Sequence, residues 1–197
     1  HDYGKTATAE LLKSCKELKY NIYKKSFDPE TMQFGPRELV FAADAHNQSA
    51  TLPRISPDGR WLVFTMAEFG YFHIWHHDAD LWMMDLQTGE VQPMTALNSP
   101  DTESYHSWSS NGRWLVVSSR RDDGTFTRPF FAHIDSDGRC SKPFELPQRD
   151  PAYHRQFLRS YNIPEFMHGP VTITPQTFAD VLKGDGEPVK YVPALSK

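Results

Sequence analysis

Cysteine is scarce in this chain. Only Cys15 and Cys140 occur in 197 residues. Neither stands in a CxxC or CxxCH pattern, which excludes a cysteine zinc site and covalently attached haem. One disulfide or two separate thiols both remain open. No apolar run approaches the roughly 20 residues that a membrane span needs. Charge of one sign is lacking too. With 21 basic against 25 acidic residues, the net charge of −4 gives no electrostatic basis for nucleic-acid binding. There is no GxSxG elbow, no HExxH and no glycine-rich phosphate loop, so no motif identifies a reaction. The chain opens at His1 without an initiator methionine or a signal peptide. We expect a processed or trimmed product.

What the chain has is turns and rings. Aromatics make up 13%, and 15 prolines accompany 11 glycines. That suits many short strands better than a helical bundle. "SPDGRWLVF" begins at Ser56 and "SSNGRWLVV" at Ser109, an offset of 53 (109 − 56). Around them the order of elements recurs. "ATLPRI", a Ser-Pro-Asp-Gly turn, "RWLVFTMA", "DLWMMDL", a Gln-Thr-Gly turn and "EVQPMTAL" make one set. "ESYHSW", a Ser-Asn-Gly turn, "RWLVVSS", "PFFAHID", a Ser-Asp-Gly turn and "RCSKPFEL" make the next. Asn-Gly and Asp-Gly tolerate the positive φ of hairpin turns. Each set is thus an antiparallel four-stranded sheet of about 50 residues, a period typical of structural repeats. Trp61 and Val63 share one face of their strand and Leu62 and Phe64 the other. Both faces are apolar, so the strands are expected between two layers. Aligning Asp85 with Asp135 gives an offset of 50 (135 − 85), so the first unit holds three extra residues between its second and third strands. Residues 20–48 match the second half of the same unit, with Asn21-Ile22-Tyr23 standing where Asp80-Leu81-Trp82 stands later.

The expected fold is mainly β: a partial β-propeller of about two and a half four-stranded blades, an N-terminal helix and a helical C-terminal tail. The expected boundaries are 1–19 for the helix, an insertion or cap. Residues 20–146 form the blades (20–48, 49–101 and 102–146), and 147–197 the extension. Within the extension, Asp150 and Pro151 start a predicted helix with Tyr153, Phe157, Leu158 and Tyr161 on one face. Thr174, Pro175 and Gly184 bound another. Residues 185–197 read as a polar, mobile tail. Propellers close with four to eight blades. Two and a half cannot close a ring, so we expect a C-terminal portion of a longer protein, its missing blades before His1 or its open edge covered by a partner.

The repeat wording, "RISPDGRWLVFT" with "LWMMDLQTGE" and "HSWSSNGRWLVVSSRRDDG" with "FFAHIDSDGR", resembles the TolB-type propeller repeat, a WD-repeat-like family. The resemblance covers about residues 20–146, and Ser110-Asn111 replaces the family's Pro-Asp. Longer wording such as "YKKSFDPET", "DTESYHSWSS" and "SYNIPEF" resembles Bacteroidetes envelope proteins built on this repeat. The resemblance implies a non-catalytic module that binds a protein or ligand in the periplasm or cell envelope.

Several residues carry candidate chemistry. "FHIWHHDAD" offers His73, His76, His77, Asp78 and Asp80. One reading is a divalent metal site, the arrangement of propeller enzymes such as oligogalacturonate lyases; the other is a polar loop. In an extended strand His73 and His77 would lie about 13 Å apart. A shared ion therefore needs a bend, or His106 converging from elsewhere. Arg120, Arg121 and Asp122 could grip a carboxylate or sugar acid, or brace a hairpin. Asp135 to Gly138 starts like a calcium loop but lacks the remaining acidic ligands, so it reads as a turn. Of the tryptophans, Trp75 alone lies off the repeat strands and is the candidate stacking platform. The leading expectation is a binding propeller with no cofactor. One alternative is a lyase or hydrolase of acidic sugars with a histidine-held metal. Another is the propeller domain of a larger peptidase.

Overall fold

The alternating pattern from Tyr20 onward builds strands, and the computed structural model, which describes residues 14–188, shows twelve of them. The helix expected within 1–19 lies largely outside the described residues; of that stretch the structure describes a 3-10 turn at Cys15–Glu17. The predicted tail beyond residue 188 lies outside them as well.

β1 (Ile22–Lys24) pairs antiparallel with β4 (Glu38–Phe41). Between them β2 (Phe27–Asp28) and β3 (Gln33–Phe34) form the tip of the hairpin, where Asp28 accepts from the backbone of Glu30. This is half a blade. One whole blade follows in the order β5 (Ser49–Ile55), β6 (Trp61–Ala67), β7 (Asp80–Asp85), β8 (Val91–Pro93). The next runs β9 (Glu103–Trp108), β10 (Trp114–Ser119), β11 (Arg128–His133), β12 (Phe144–Glu145). Both are simple meanders, which fits the short turns. Among the described residues these sheets make the fold a partial β-propeller.

The first whole blade is buried on both faces, as its two-sided apolar strands require. Trp61, Val63, Leu81 and Met83 pack against Leu115, Val117, Phe130 and Ala132 of the following blade. Leu62, Phe64 and Met66 pack on the other side with Ile22, Ala43 and Ala50.

The two repeat turns agree atom for atom. Ser56 Oγ accepts from Trp61 N at 2.9 Å and Ser109 Oγ from Trp114 N at 3.0 Å. Asp58 Oδ1 accepts from Arg60 N at 3.1 Å and Asn111 Oδ1 from Arg113 N at 3.0 Å. Asparagine replaces aspartate here without loss because the turn uses only an acceptor oxygen.

The register corrects the expected insertion. Trp61 pairs with Asp85 and Trp114 with His133. The offset at the third strand is therefore 48 (133 − 85), and the first blade carries five extra residues, not three. The second blade recovers two of them by continuing past His133 into the Ile134–Cys140 bridge.

Each inner strand slips register at the same place. Leu52 and Tyr105 adopt φ of +53° and +44° there, a left-handed conformation rare for side-chain-bearing residues. In β5 the slip precedes Pro53, which has no N–H to offer β6. The Val63 carbonyl beside the slip is met instead from the next blade, by His106 Nε2 at 2.9 Å.

The predicted helix at 150–161 is not formed. Asp150 does cap, accepting from Ala152 N at 2.9 Å, but only a 3-10 turn at Tyr153–Gln156 results. Tertiary hydrogen bonds take the backbone that a helix would use. Tyr161 N donates to Thr127 O, Ser118 Oγ donates to Tyr161 O, and Arg128 Nη1 donates to Arg159 O. This strap lies on the outer face of the second blade, with Phe166 against Phe131 and the buried His154 against Glu145.

A second unit begins at Met167. Its helix α1 (Pro175–Lys183) has the predicted ends: Thr174 Oγ1 accepts from Thr177 N, Pro175 occupies the first turn, and Gly184 closes it. Among the described residues no helix is long and apolar enough to cross a membrane.

Candidate functional site

Three connections meet at one end of the whole blades: 68–79, 94–102 and 120–127. Their backbones are tied together. Thr102 Oγ1 donates to His76 O at 2.6 Å, Arg120 N to Thr102 O at 3.1 Å, and Glu103 N to Ala79 O at 2.8 Å. This rim holds the candidate residues named from the sequence except His106 in β9, Asp80 at the start of β7, and the Asp135 to Gly138 turn.

The long connection bends at a 3-10 turn, His73–Trp75. The bend brings the His73 and His76 rings edge to face, 5.5 Å between centroids, but turns His77 away to Asp101. His73 is buried, with Nε2 on Gly70 O at 3.0 Å and Nδ1 on Thr51 Oγ1 at 3.0 Å. A carbonyl only accepts, so Nε2 carries the proton and Nδ1 accepts from the threonine. Burial pushes this imidazole down to about 4, which keeps it neutral. His76 packs edge-on against Phe69, 3.7 Å from Asp78 at its Nδ1. His77 turns outward to Asp101 at 3.0 Å. Asp78 accepts from Glu68 N at 2.6 Å. Among the described residues no three His, Cys, Asp or Glu side chains are grouped as a metal ion requires. His106 sits apart in β9, buried on the Val63 carbonyl, and desolvation takes it down to about 4 as well.

The arginines divide their tasks. Arg121 donates to Glu103 Oε1 at 2.9 Å and to Leu97 O at 2.7 Å. Glu103 is wholly buried and also accepts from Ser99 and Ser119. Arg121 is thus committed to a buried carboxylate. Arg120 donates to the carbonyls of Ile74 and Gly124, and its guanidinium lies 5.4 Å from the centroid of the Trp75 ring. Two residues read separately in the sequence, 45 positions apart, therefore form one contact. Asp122 is exposed beside them. Asp135 spends its carboxylate on the N–H groups of Asp137 and Arg139, as a hairpin turn does.

Trp75 is 70% exposed, in line with Tyr71 at 51% and Phe72 at 63%. His73 and Ile74 between them are buried, so the loop is anchored by its middle and presents its rings outward. The sequence reading missed Tyr71 and Phe72, although three aromatics within five residues outside any strand are a legible signal. It named Asp80 but not its setting, and it missed Glu103. Burial, with the charges of Glu103 and Asp78 nearby, pushes the Asp80 carboxyl up to about 6. Nothing local marks Glu103 or the setting of Asp80, because their neighbours are brought in by the fold.

The chain matches no protein-family model and no curated protein. Among solved structures it is similar to the β-propeller domain of the Trilobed protease from Pyrococcus furiosus, described as having an open velcro topology. That likeness has 18% identity and a TM-score of 0.37, covering 64% of this chain and 39% of that one. It is also similar to TolB from Acinetobacter baumannii at 16% identity and a TM-score of 0.39, covering 64% of this chain and 26% of that one. The chain thus spans well under half the length of either structure.

Proposed function

We propose that this protein is a non-catalytic propeller module that binds another protein through the rim of connections 68–79, 94–102 and 120–127. One observation carries the reading: Trp75 stands exposed above the Arg120 guanidinium, beside exposed Tyr71 and Phe72, on a loop pinned by buried His73. Exposed aromatic clusters on rigid supports mark interaction surfaces, and tryptophan, tyrosine and arginine dominate their energetics. A loop held by a rigid sheet gives such a surface a fixed shape. The histidines and Arg121 support the surface rather than touch the partner. The setting in the periplasm or envelope rests on the likeness of the repeat wording to TolB-type propellers.

A photoreactive amino acid placed at residue 72 tests this in the producing cells. We expect one discrete protein adduct that disappears on Trp75→Ala, while the purified variant keeps its melting temperature. An adduct unaffected by Trp75→Ala, or none from residue 72, overturns the reading.

A further inference from the structure

Three arginines lie close together in the sequence at this end of the second blade, and two of them have a carboxylate. Arg121 pairs with Glu103 at 2.9 Å and Arg128 with Asp123 at 3.2 Å. Asp123 is further committed to the N–H groups of Thr125 and Phe126. Arg120 is only 8% exposed, yet among the described residues its bonds go to the carbonyls of Ile74 and Gly124 alone. Its Nε is buried without an acceptor. A carbonyl carries only a partial charge, so this guanidinium is withdrawn from water without a full counter-charge.

Arg120 lines a pocket of about 20 Å³ with Trp75, Thr127, Ser160 and Asn162. Trp75 comes from connection 68–79, and Ser160 and Asn162 from the strap over the second blade. No lining residue is acidic. The polar side chains there have their acceptors in use and hydrogens left to give. Asn162 Oδ1 accepts from Thr127 Oγ1 at 2.7 Å, which leaves the amide hydrogens. Ser160 Oγ accepts from Thr127 N at 3.4 Å, which leaves the hydroxyl hydrogen. A cation and two neutral donors on one pocket suit a group that only accepts and is negatively charged, as a carboxylate is. The volume takes about one water-sized group. A carboxylate head enters it; a sugar ring does not.

We infer that this pocket is a carboxylate subsite of the rim, filled by an aspartate or glutamate side chain of the partner protein. The choice of a protein rests on the function proposed above; the choice of a carboxylate rests on the pocket alone. The acidic head takes hydrogens from Arg120 and Asn162, and the Trp75 ring, 5.4 Å from the guanidinium, shields the pair from water. The rim thus reads an acidic residue flanked by apolar surface, since exposed Tyr71 and Phe72 stand on the same loop as Trp75.

The test titrates the full ¹⁵N-labelled chain with sodium acetate and, at equal ionic strength, with sodium chloride. We expect the Arg120 Nε–H resonance to move saturably with acetate, with a Kd on the order of millimolar, and not with chloride. Asn162→Leu should weaken acetate about tenfold by removing one donor to the charged group; the parent titration decides the matter even if this variant is destabilised. The photo-adduct from residue 72 should fall in parallel. A response to acetate no larger than that to chloride overturns the inference and leaves the rim reading to the Trp75 dependence of the adduct. An adduct undiminished by Asn162→Leu overturns it too, since the partner then does not use the pocket. So does a uronic acid that binds far more tightly than acetate, because the site would then read a sugar acid.

Discussion

His106 of the second blade donates its Nε2 hydrogen to the Val63 carbonyl of the first, 2.9 Å away. The bond joins two repeats through the carbonyl beside the slip in β5. It holds only while the imidazole is neutral enough to stay buried.

Stability should fall on mild acidification. His106 and His73 are both held down to about 4, from an ordinary 6.5, by burial. The unfolded chain therefore binds more protons than the folded one between pH 4 and 6.5, and stability rises with pH across that window. Each histidine contributes at most ~3 kcal/mol. Asp80 acts oppositely: its carboxyl is pushed up to about 6, so it costs stability as pH rises from 3.8 to 6. Two groups outweigh one. Denaturant midpoints should drop from pH 7 to pH 4.5; His106→Gln should flatten the profile and Asp80→Asn steepen it.

Gly138→Ala should cost more than Gly89→Ala. Both glycines have a φ of +79°, so each substitution carries the left-handed penalty of about 1–2 kcal/mol. A methyl at Gly89 meets open space, whereas one at Gly138 would lie 2.6 Å from Cη2 of Trp61 in the neighbouring blade. We expect a further loss of about 1–3 kcal/mol for overpacking, read as the difference between the two unfolding curves.

Removing Arg121 should damage the fold. Arg121→Ala strands the wholly buried Glu103 without its cation. A loss of about 3–5 kcal/mol is expected, and Glu103→Gln in the same chain should restore part of it. Unfolding curves of the single and double variants check this. If Arg121→Ala is as stable as the parent, the ion pair has been misread.

Cysteine chemistry should be quiet. Cys15 and Cys140 are both free thiols, which settles what the sequence left open. Burial pushes the Cys140 thiol up to about 12, so little thiolate exists at neutral pH. Its reaction with a disulfide reagent should be at least tenfold slower in the native protein than in denaturant, and reductant should not change the melting temperature.

Local chemistry made the blades readable. The Asp-Gly and Asn-Gly turns, the two-sided strands around Trp61 and Trp114, and the Thr174-Pro175 start of α1 are short-range codes, and the structure realises each of them. The half blade was legible for the same reason, since Ile22 occupies a repeat position. Where sequence reading failed, distant groups decided the outcome. Residues 150–161 have helical spacing, but bonds from Ser118 and Arg128 and to Thr127 hold them as a strap.

The candidate site divides in the same way. Residue types alone pointed to Trp75, to Arg120 and to a histidine-rich loop. Only the fold could say that Trp75 lies over Arg120, that His73 is spent on Gly70 and Thr51, and that Arg121 belongs to Glu103. The sequence by itself determined the strands, their turns and the blade repeat, because those depend on neighbours within a few positions. Tertiary structure alone decided which polar groups are buried against one another and which rings are left in solvent, because those contacts join connections dozens of residues apart.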